Sequence, residues 1–537
     1  MKTTVFAFLL ILTSSIYSQS SYTNITISNT GGPNEPSICI NPKNTNQVVA
    51  GANTDKVYRS SDGGMTWITS TLTGTYTVWG DPCIITDTLG NFYYFHLVNG
   101  ASFIDRMGVN KSTNAGATWN AGTYWQFNPP KQQDKEWAIT DFTHGPRGNW
   151  IYVAWTEFDD YGVPTPSDSS RILFARSTDA GATFTGVKRL SRYGGNCVDE
   201  DYTTEGSVPA VGPNGEVYVA WSGPLGINNF KIFFDRSTVG GNTWLENDII
   251  AANQPGGWDL GAGGGSGFTG IAGINRSNGL PITLCDISNG PYRGTIYINY
   301  LDSAGPFDRD VKVVKSTDGG TTWSAPIRVN DDPAGKEQFF TWMSIDQVTG
   351  YLYCVFYDRR NYTNTQTDVY IARSTNGGTT WTNERISAAP FTPASNIFFG
   401  DYTNISSHNG VVRPIWIRLV SGSLSVLTAI MNFPVGVEPV STEIPASFSL
   451  KQNYPNPFNP NTTFEFDIPA FTGNGSQDVS IKVYDILGNE TAVIVNGKLS
   501  PGSYKYEWDA SLQPSGVYFY KMQSGSYSET KKMILAK

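Results

Sequence analysis

Ser60-Ser61-Asp62-Gly63-Gly64-Met65-Thr66-Trp67 decides how the rest of the chain is read, because the same octapeptide returns five more times. The copies are STNAGATW from Ser112, STDAGATF from Ser177, STVGGNTW from Ser237, STDGGTTW from Ser316 and STNGGTTW from Ser374. Their third positions, Asp62, Asn114, Asp179, Val239, Asp318 and Asn376, recur at intervals of roughly 50 to 80 residues, the length of one unit in a repeat fold. The residues have the chemistry of a hairpin tip. An Asp or Asn side chain accepts backbone N–H bonds two residues on, the fifth-position Gly takes positive φ, and the Thr hydroxyl closes the turn. Asp62, Asn114, Asp179, Asp318 and Asn376 are therefore read as structural.

Outward from each octapeptide the pattern is β. An alternating strand such as Ile172–Arg176 or Val369–Arg373 precedes it, and two earlier strands precede that one, for example Trp137–Thr140 with Ile151–Trp155, or Val208–Val211 with Val217–Trp221. Three strands, the octapeptide and a fourth strand make one propeller blade. After the sixth copy come Phe398–Tyr402, Val411–Ile417 and Leu424–Met431 without an octapeptide, a unit lacking its last strand. Thr23–Ile27 is available to complete it and close the ring, which removes exposed edges. The fold expected is all-β, a seven-bladed propeller with six blades as the alternative, over residues 19–432.

Composition agrees. Among 537 residues, aromatics make up 13% and charged residues only 15%, with 56 Gly, which excludes a helical bundle or coiled coil. The net charge of −9 and the lack of a basic cluster argue against nucleic acid as partner. Residues 1–18 have the layout of a secretory signal peptide: Lys2, the apolar run Val5–Leu12, then small polar residues. No later stretch is apolar for long enough to span a bilayer, so an exported, non-spanning, monomeric protein is expected. The five cysteines (Cys39, Cys83, Cys197, Cys285, Cys354) are odd in number, and most lie within apolar strand-like runs, which favours buried thiols over a disulfide framework. His96, His144 and His408 are scattered and no CxxC pair occurs, so no zinc site and no cofactor is expected, with room left for a structural or channel cation such as calcium. Gly261–Gly267 lacks the Gly-Lys-Ser/Thr of a phosphate-binding loop and reads as a flexible loop.

The octapeptides resemble the Asp boxes, or bacterial neuraminidase repeats, of the sialidase-like β-propeller superfamily, over roughly Glu35 to Asn432. That superfamily includes sialidases, other glycosidases, sorting receptors and non-enzymatic assembly factors. The resemblance thus implies a glycan-directed protein, a hydrolase of exo-sialidase type or a non-enzymatic propeller that binds glycan or protein. Sialidases place an arginine in an Arg-Ile-Pro motif near the start of the propeller; here the corresponding stretch is Glu35-Pro36-Ser37-Ile38, with no arginine.

Past Asn432 the texture changes. Residues 433–446 form a Pro-containing linker, and residues 447–537 carry Gln452-Asn453-Tyr454-Pro455-Asn456-Pro457-Phe458-Asn459-Pro460, Val479–Glu490, Pro514–Tyr520 and Lys531–Leu535. Alternating strands with Gly-Asn, Pro-Gly and Pro-Ser-Gly turns specify a small β-sandwich. This module looks like the type A sorting domain of the type IX secretion system. The resemblance implies an immunoglobulin-like sandwich recognised by that machinery, with passage through periplasm and outer membrane to the surface or the medium.

Residues that precede innermost strands are the candidates for chemistry. Acidic groups recur there: Asp81, Asp134, Glu136, Glu205 and Asp401 are candidate catalytic carboxylates, since converging like charges raise some pKa values and suit acid/base work on a glycosidic bond. Trp79, Trp137, Trp342 and Tyr402 offer flat faces for sugar rings. Arg359 and Arg360 are candidates to clamp a substrate carboxylate, with ion pairing to Asp358 or Asp368 as their other role.

Overall fold

The computed structural model describes residues 22–537 except 199–201, 227–228, 258–269, 275–278, 306–307, 434, 442, 471–476 and 511–512. The signal peptide expected over residues 1–18 and the loop Gly261–Gly267 lie outside the described residues. Regular structure among the described residues is strand only, in nine four-stranded antiparallel sheets. No helix among them is long and apolar enough to cross a membrane.

Seven sheets form a ring. Their innermost strands are Ser37–Ile40, Thr77–Thr86, Gln132–Thr140, Glu205–Val211, Ile282–Cys285, Gln338–Asp346 and Asn404–His408, and they define sheets 1 to 7 in chain order. Each touches the next, and the first touches the seventh. Side chains staple neighbours together. The Ile84 N–H donates to Ser37 Oγ at 3.0 Å, the Ala138 N–H to Cys83 Sγ at 3.4 Å, and across the closure the Ile38 N–H donates to Asn404 Oδ1 at 3.1 Å. As the seventh unit's missing strand requires, Thr23–Ser28 pairs antiparallel with Ser423–Asn432, Thr23 opposite Ile430. Second strands are buried on both faces, which is why Ile151–Trp155, the first part of the strand Ile151–Phe158, reads as a continuous apolar run and not as an alternation.

The turns follow two rules. Where an innermost strand ends, Asn41, Asp87, Asp141, Asp286 and Asp346 each accept the N–H two residues on, at 2.8 to 3.0 Å. The octapeptides work differently from the expectation. Asp62 Oδ1 accepts the Thr66 N–H, four residues on, at 2.9 Å, Thr66 Oγ1 donates to Asp62 Oδ2 at 2.6 Å, and the Gly64 N–H donates to Ser60 Oγ at 2.8 Å. A longer reach is needed because both glycines are left-handed, Gly63 at φ 73° and Gly64 at φ 95°.

These tips also tie the ring's periphery. A cation on one sheet donates to the fourth-position carbonyl of the next octapeptide: Lys111 to Ala180, Arg176 to Gly240, Arg236 to Gly319, Lys315 to Gly377 and, closing the circle, Arg413 to Gly63. The Thr66 hydroxyl and N–H hold the Asp62 carboxyl down at about 2. A depressed folded pKa means this contribution is present above the unfolded value, about 3.9, and is lost as pH falls toward 2. Asn114 and Asn376 replace the carboxylate by an amide that accepts the same N–H and donates to Thr118 and Thr380 at 2.9 and 2.8 Å. Thermal melts at pH 7 should therefore show Asp62→Ala several degrees below the parent and Asp62→Asn close to it, the gap for Asp62→Ala narrowing toward pH 2. An equal loss in both variants would contradict this role.

The remaining two sheets make the C-terminal sandwich around Phe464, Phe466, Ile481, Val483, Tyr520, Met522 and Met533. Within the span expected as linker, Val437–Ser441 is a strand of this sandwich, paired with Gly502–Asp509. It lies at a sheet edge, where the N–H that Pro439 lacks is not needed.

The five cysteines are free, and all but Cys39 are buried. Burial pushes the Cys39 thiol up to about 11 and that of Cys354 up to about 12, which leaves them inert packing groups.

Candidate functional site

The channel mouth where innermost strands begin, here the upper mouth, is built on a repeated backbone distortion. Six residues before Asn41, Asp87, Asp141, Gly212 and Asp346 stand Glu35, Asp81, Lys135, Gly206 and Phe340, with φ of 49°, 52°, 51°, 75° and 50°. Register shifts accompany them between Gly80 and Cys83, Asp134 and Trp137, Glu205 and Val208, and Phe339 and Trp342. A left-handed non-glycine residue costs roughly 1–2 kcal/mol, and bulges re-aim side chains at such sites.

What the bulges aim is charge. Lys135 Nζ lies 3.0 Å from Asp401 Oδ2, 3.2 Å from Asp81 Oδ2 and 3.8 Å from Glu35 Oε1, so one cation joins sheets 1, 2, 3 and 7. Asn53 Nδ2 donates to Glu35, and the Asp81 N–H donates to Asn53 Oδ1 at 2.7 Å. Glu136 stands beside this group, 1% exposed, with neither carboxylate oxygen hydrogen-bonded among the described residues. Burial first, then the Asp81 and Asp134 charges, push its carboxyl well above the usual range.

One or two residues further along the chain from these bulges and charges sits an aromatic cluster. Trp137 and Trp342, from sheets 3 and 6, lie 4.2 Å apart by ring centroids, and each is 5.9 Å from the Tyr402 ring. Lys135 Nζ is 4.7 Å from that ring. A cavity of about 30 Å3 remains among Asp81, Glu136, Ser207, Thr341 and Tyr402, space for one or two waters and not for a sugar ring. Burial, then the carboxylates around it, drive the Tyr402 phenol upward, opposite to what a phenolate nucleophile requires.

Asp81, Glu136, Asp401, Trp137, Trp342 and Tyr402 are thus brought together. Asp134 turns to accept the Lys135 N–H at 2.8 Å, and Glu205 is buried in sheet 4, outside the lining of this cavity. Arg359 and Arg360 are engaged elsewhere. Glu337 is held between Arg309 at 2.7 Å and Arg359 at 2.5 Å, and Arg359 also donates to the Ala272 carbonyl. Arg360 pairs with Asp358 at 2.8 Å and with Asp331. Both guanidiniums are thus held in ion pairs.

Trp79 belongs to a different feature. It is 43% exposed and packs edge-on against Phe103, 42% exposed, which in turn meets Tyr161. Beside them the Arg106 guanidinium lies between the rings of Tyr76, at 4.2 Å, and Phe127, at 4.3 Å. These residues flank the start of sheet 2 and form an exposed aromatic face on the upper side of the ring. Phe103, Arg106 and Phe127 are not singled out by the sequence because they sit outside the innermost strands. The aromatic spacing of the loops around Trp79 is the signal that could have found them.

Among solved structures, the chain is similar to a protein of unknown function from Dyadobacter fermentans (14% identity, 64% of this chain and 95% of that one, TM-score 0.40). It is also similar to a Hadza microbial sialidase (15% identity, 72% and 73%, TM-score 0.39) and to an ulvan lyase of polysaccharide lyase family PL25 (11% identity, 76% and 95%, TM-score 0.45). No curated protein sequence matches it. Residues 452–536 match the family of secretion system C-terminal sorting domains. The chain is an all-β protein in which a ring of four-stranded sheets is followed by a secretion-system C-terminal sorting domain.

Proposed function

We propose that the protein is exported by the type IX secretion system and acts at the cell surface or in the medium as a glycan-binding propeller that holds its ligand on the upper face without cleaving it. The observation that carries this reading is the contrast between the two halves of that face. At the centre, three carboxylates share one lysine beside an aromatic cluster, with space only for water. At its edge, Trp79, Phe103 and Phe127 present exposed rings of the kind on which sugars stack. Relatives by fold with sialidase or polysaccharide lyase in their names make glycan the ligand class to try first.

Glu136 favours a second reading, a glycoside hydrolase in which this neutral buried carboxyl is the general acid. One experiment separates the two. The full chain is incubated with sialylated glycans and plant and algal polysaccharides, binding and released sugar both being measured. The binding reading expects retained glycan, no release, and a loss of affinity of about tenfold or more in Trp79→Ala/Phe103→Ala, roughly 1.4 kcal/mol. Release of sugar that disappears in Glu136→Gln would establish the hydrolase instead.

A further inference from the structure

A second cavity lies at the other end of the ring. Where the innermost strands finish, the turns from all seven sheets surround a cavity of about 590 Å3. Its lining includes Lys43, Thr143, His144, Arg293, Gln347 and His408, and among the described lining residues there is no Asp or Glu. That is unexpected at the ends of strands that terminate in Asp87, Asp141, Asp286 and Asp346 in a chain of net charge −9. The turn geometry explains it. Each of those carboxylates is turned back onto hairpin N–H groups: Asp87 accepts those of Leu89 and Asn91, Asp141 the Thr143 N–H and hydroxyl, Asp286 the Ser288 N–H, and Asp346 the Val348 N–H of its own turn and the Asn409 and Gly410 N–H groups of the turn in sheet 7. With the acids spent on caps, the charged side chains left in the lining are Lys43 and Arg293, beside neutral polar groups and the apolar Pro42, Phe142, Pro213 and Ile287.

The donors are held in place. Arg293 donates to the carbonyls of Ile287 and Ser288, the latter at 2.8 Å, which fixes its guanidinium at the rim. Gln347 accepts the Ile287 N–H and donates to the Cys285 carbonyl, clamping sheets 5 and 6. The two ends of the channel therefore differ in charge, with Glu35, Asp81 and Asp401 around one lysine above, and Lys43 and Arg293 without an acid in the lining below. A concavity of this size that presents Lys43 and Arg293 with hydroxyl and amide groups and no acid in its lining matches a ligand that is both anionic and polyhydroxylated.

We infer that the lower mouth is a second binding site, for an anionic saccharide carrying carboxylate or sulfate groups. It is independent of the aromatic face above. The test is titration calorimetry of the full chain with three disaccharides: one containing a uronic acid, one sulfated, one neutral. Binding of either anionic probe, absent for the neutral one and weakening as salt is raised, is the expected result, and which anionic probe binds identifies the oxyanion. Arg293→Gln should weaken it at least tenfold; since Arg293 also braces a loop, Lys43→Gln/His144→Gln, at exposed positions, should do the same with an unchanged melting temperature. Trp79→Ala should leave it intact. Equal binding of the neutral probe, no binding of either anionic probe, or affinity unchanged in both the Arg293 and the Lys43/His144 variants would overturn the assignment.

Discussion

Replacing Lys135 by Met should cost about 3–5 kcal/mol of stability at pH 7, the usual penalty for removing one partner of a buried ionic group. Lys135 Nζ is within 4 Å of Asp401, Asp81 and Glu35, whose side chains are 2%, 13% and 2% exposed. Methionine fills much the same volume but leaves three carboxylates crowded in a site with little water. Set against a total folding stability of about 5–15 kcal/mol for typical domains, that is a large fraction. The pH dependence supplies the check. Carboxylates crowded together in a site with little water and no cation favour their neutral forms in the fold. Such groups stabilise below the unfolded pKa and lose that contribution as pH rises. The deficit of the variant should therefore be greatest near neutrality and shrink toward pH 4. A deficit independent of pH would mean that Lys135 acts through packing alone.

The same cluster shows where sequence reading reaches its limit. Octapeptides, alternating strands and the orphan strand Thr23–Ser28 are local signals, and the ring follows from them because each unit repeats the same short-range chemistry. Acidic residues before innermost strands are equally visible as a recurring pattern. What they do is not, because Lys135 and Asp401 are 266 residues apart and meet only once the ring has closed. Read along the chain, Asp134-Lys135-Glu136 is an acidic motif with a lysine in it; in three dimensions the lysine is the centre and the acids are its shell. Arg359 and Arg360 illustrate the opposite case. Asp358, which pairs with Arg360, is near in sequence, and so the ion-pair reading is already available beside the substrate clamp, whereas Glu337, which pairs with Arg359, is 22 residues away. The cation-lined lower mouth is hidden for a third reason: its signal is the orientation of turn carboxylates, which composition cannot report.

Glu136→Gln should raise stability at pH 7, because glutamine fills the same place with no charge to bury while its amide bears the same lack of partners as the neutral carboxyl. The side chain is 1% exposed, its oxygens accept no hydrogen bond among the described residues, and burial raises its pKa well above 4.5. A raised folded pKa gives a contribution that is complete below the unfolded value, about 4.3, and disappears as pH climbs toward the folded value, with ~1.4 kcal/mol lost for each pH unit that separates the two. Glutamine has the same shape and never ionises. The two proteins should therefore melt together near pH 4 and diverge as pH rises, the variant becoming the more stable. A variant less stable at every pH would show that the carboxyl has a partner that its surroundings do not reveal. A variant that is more stable but has lost a sugar-releasing activity would show why a destabilising acid is kept at the centre of the ring, since groups that lower stability are retained where function requires them.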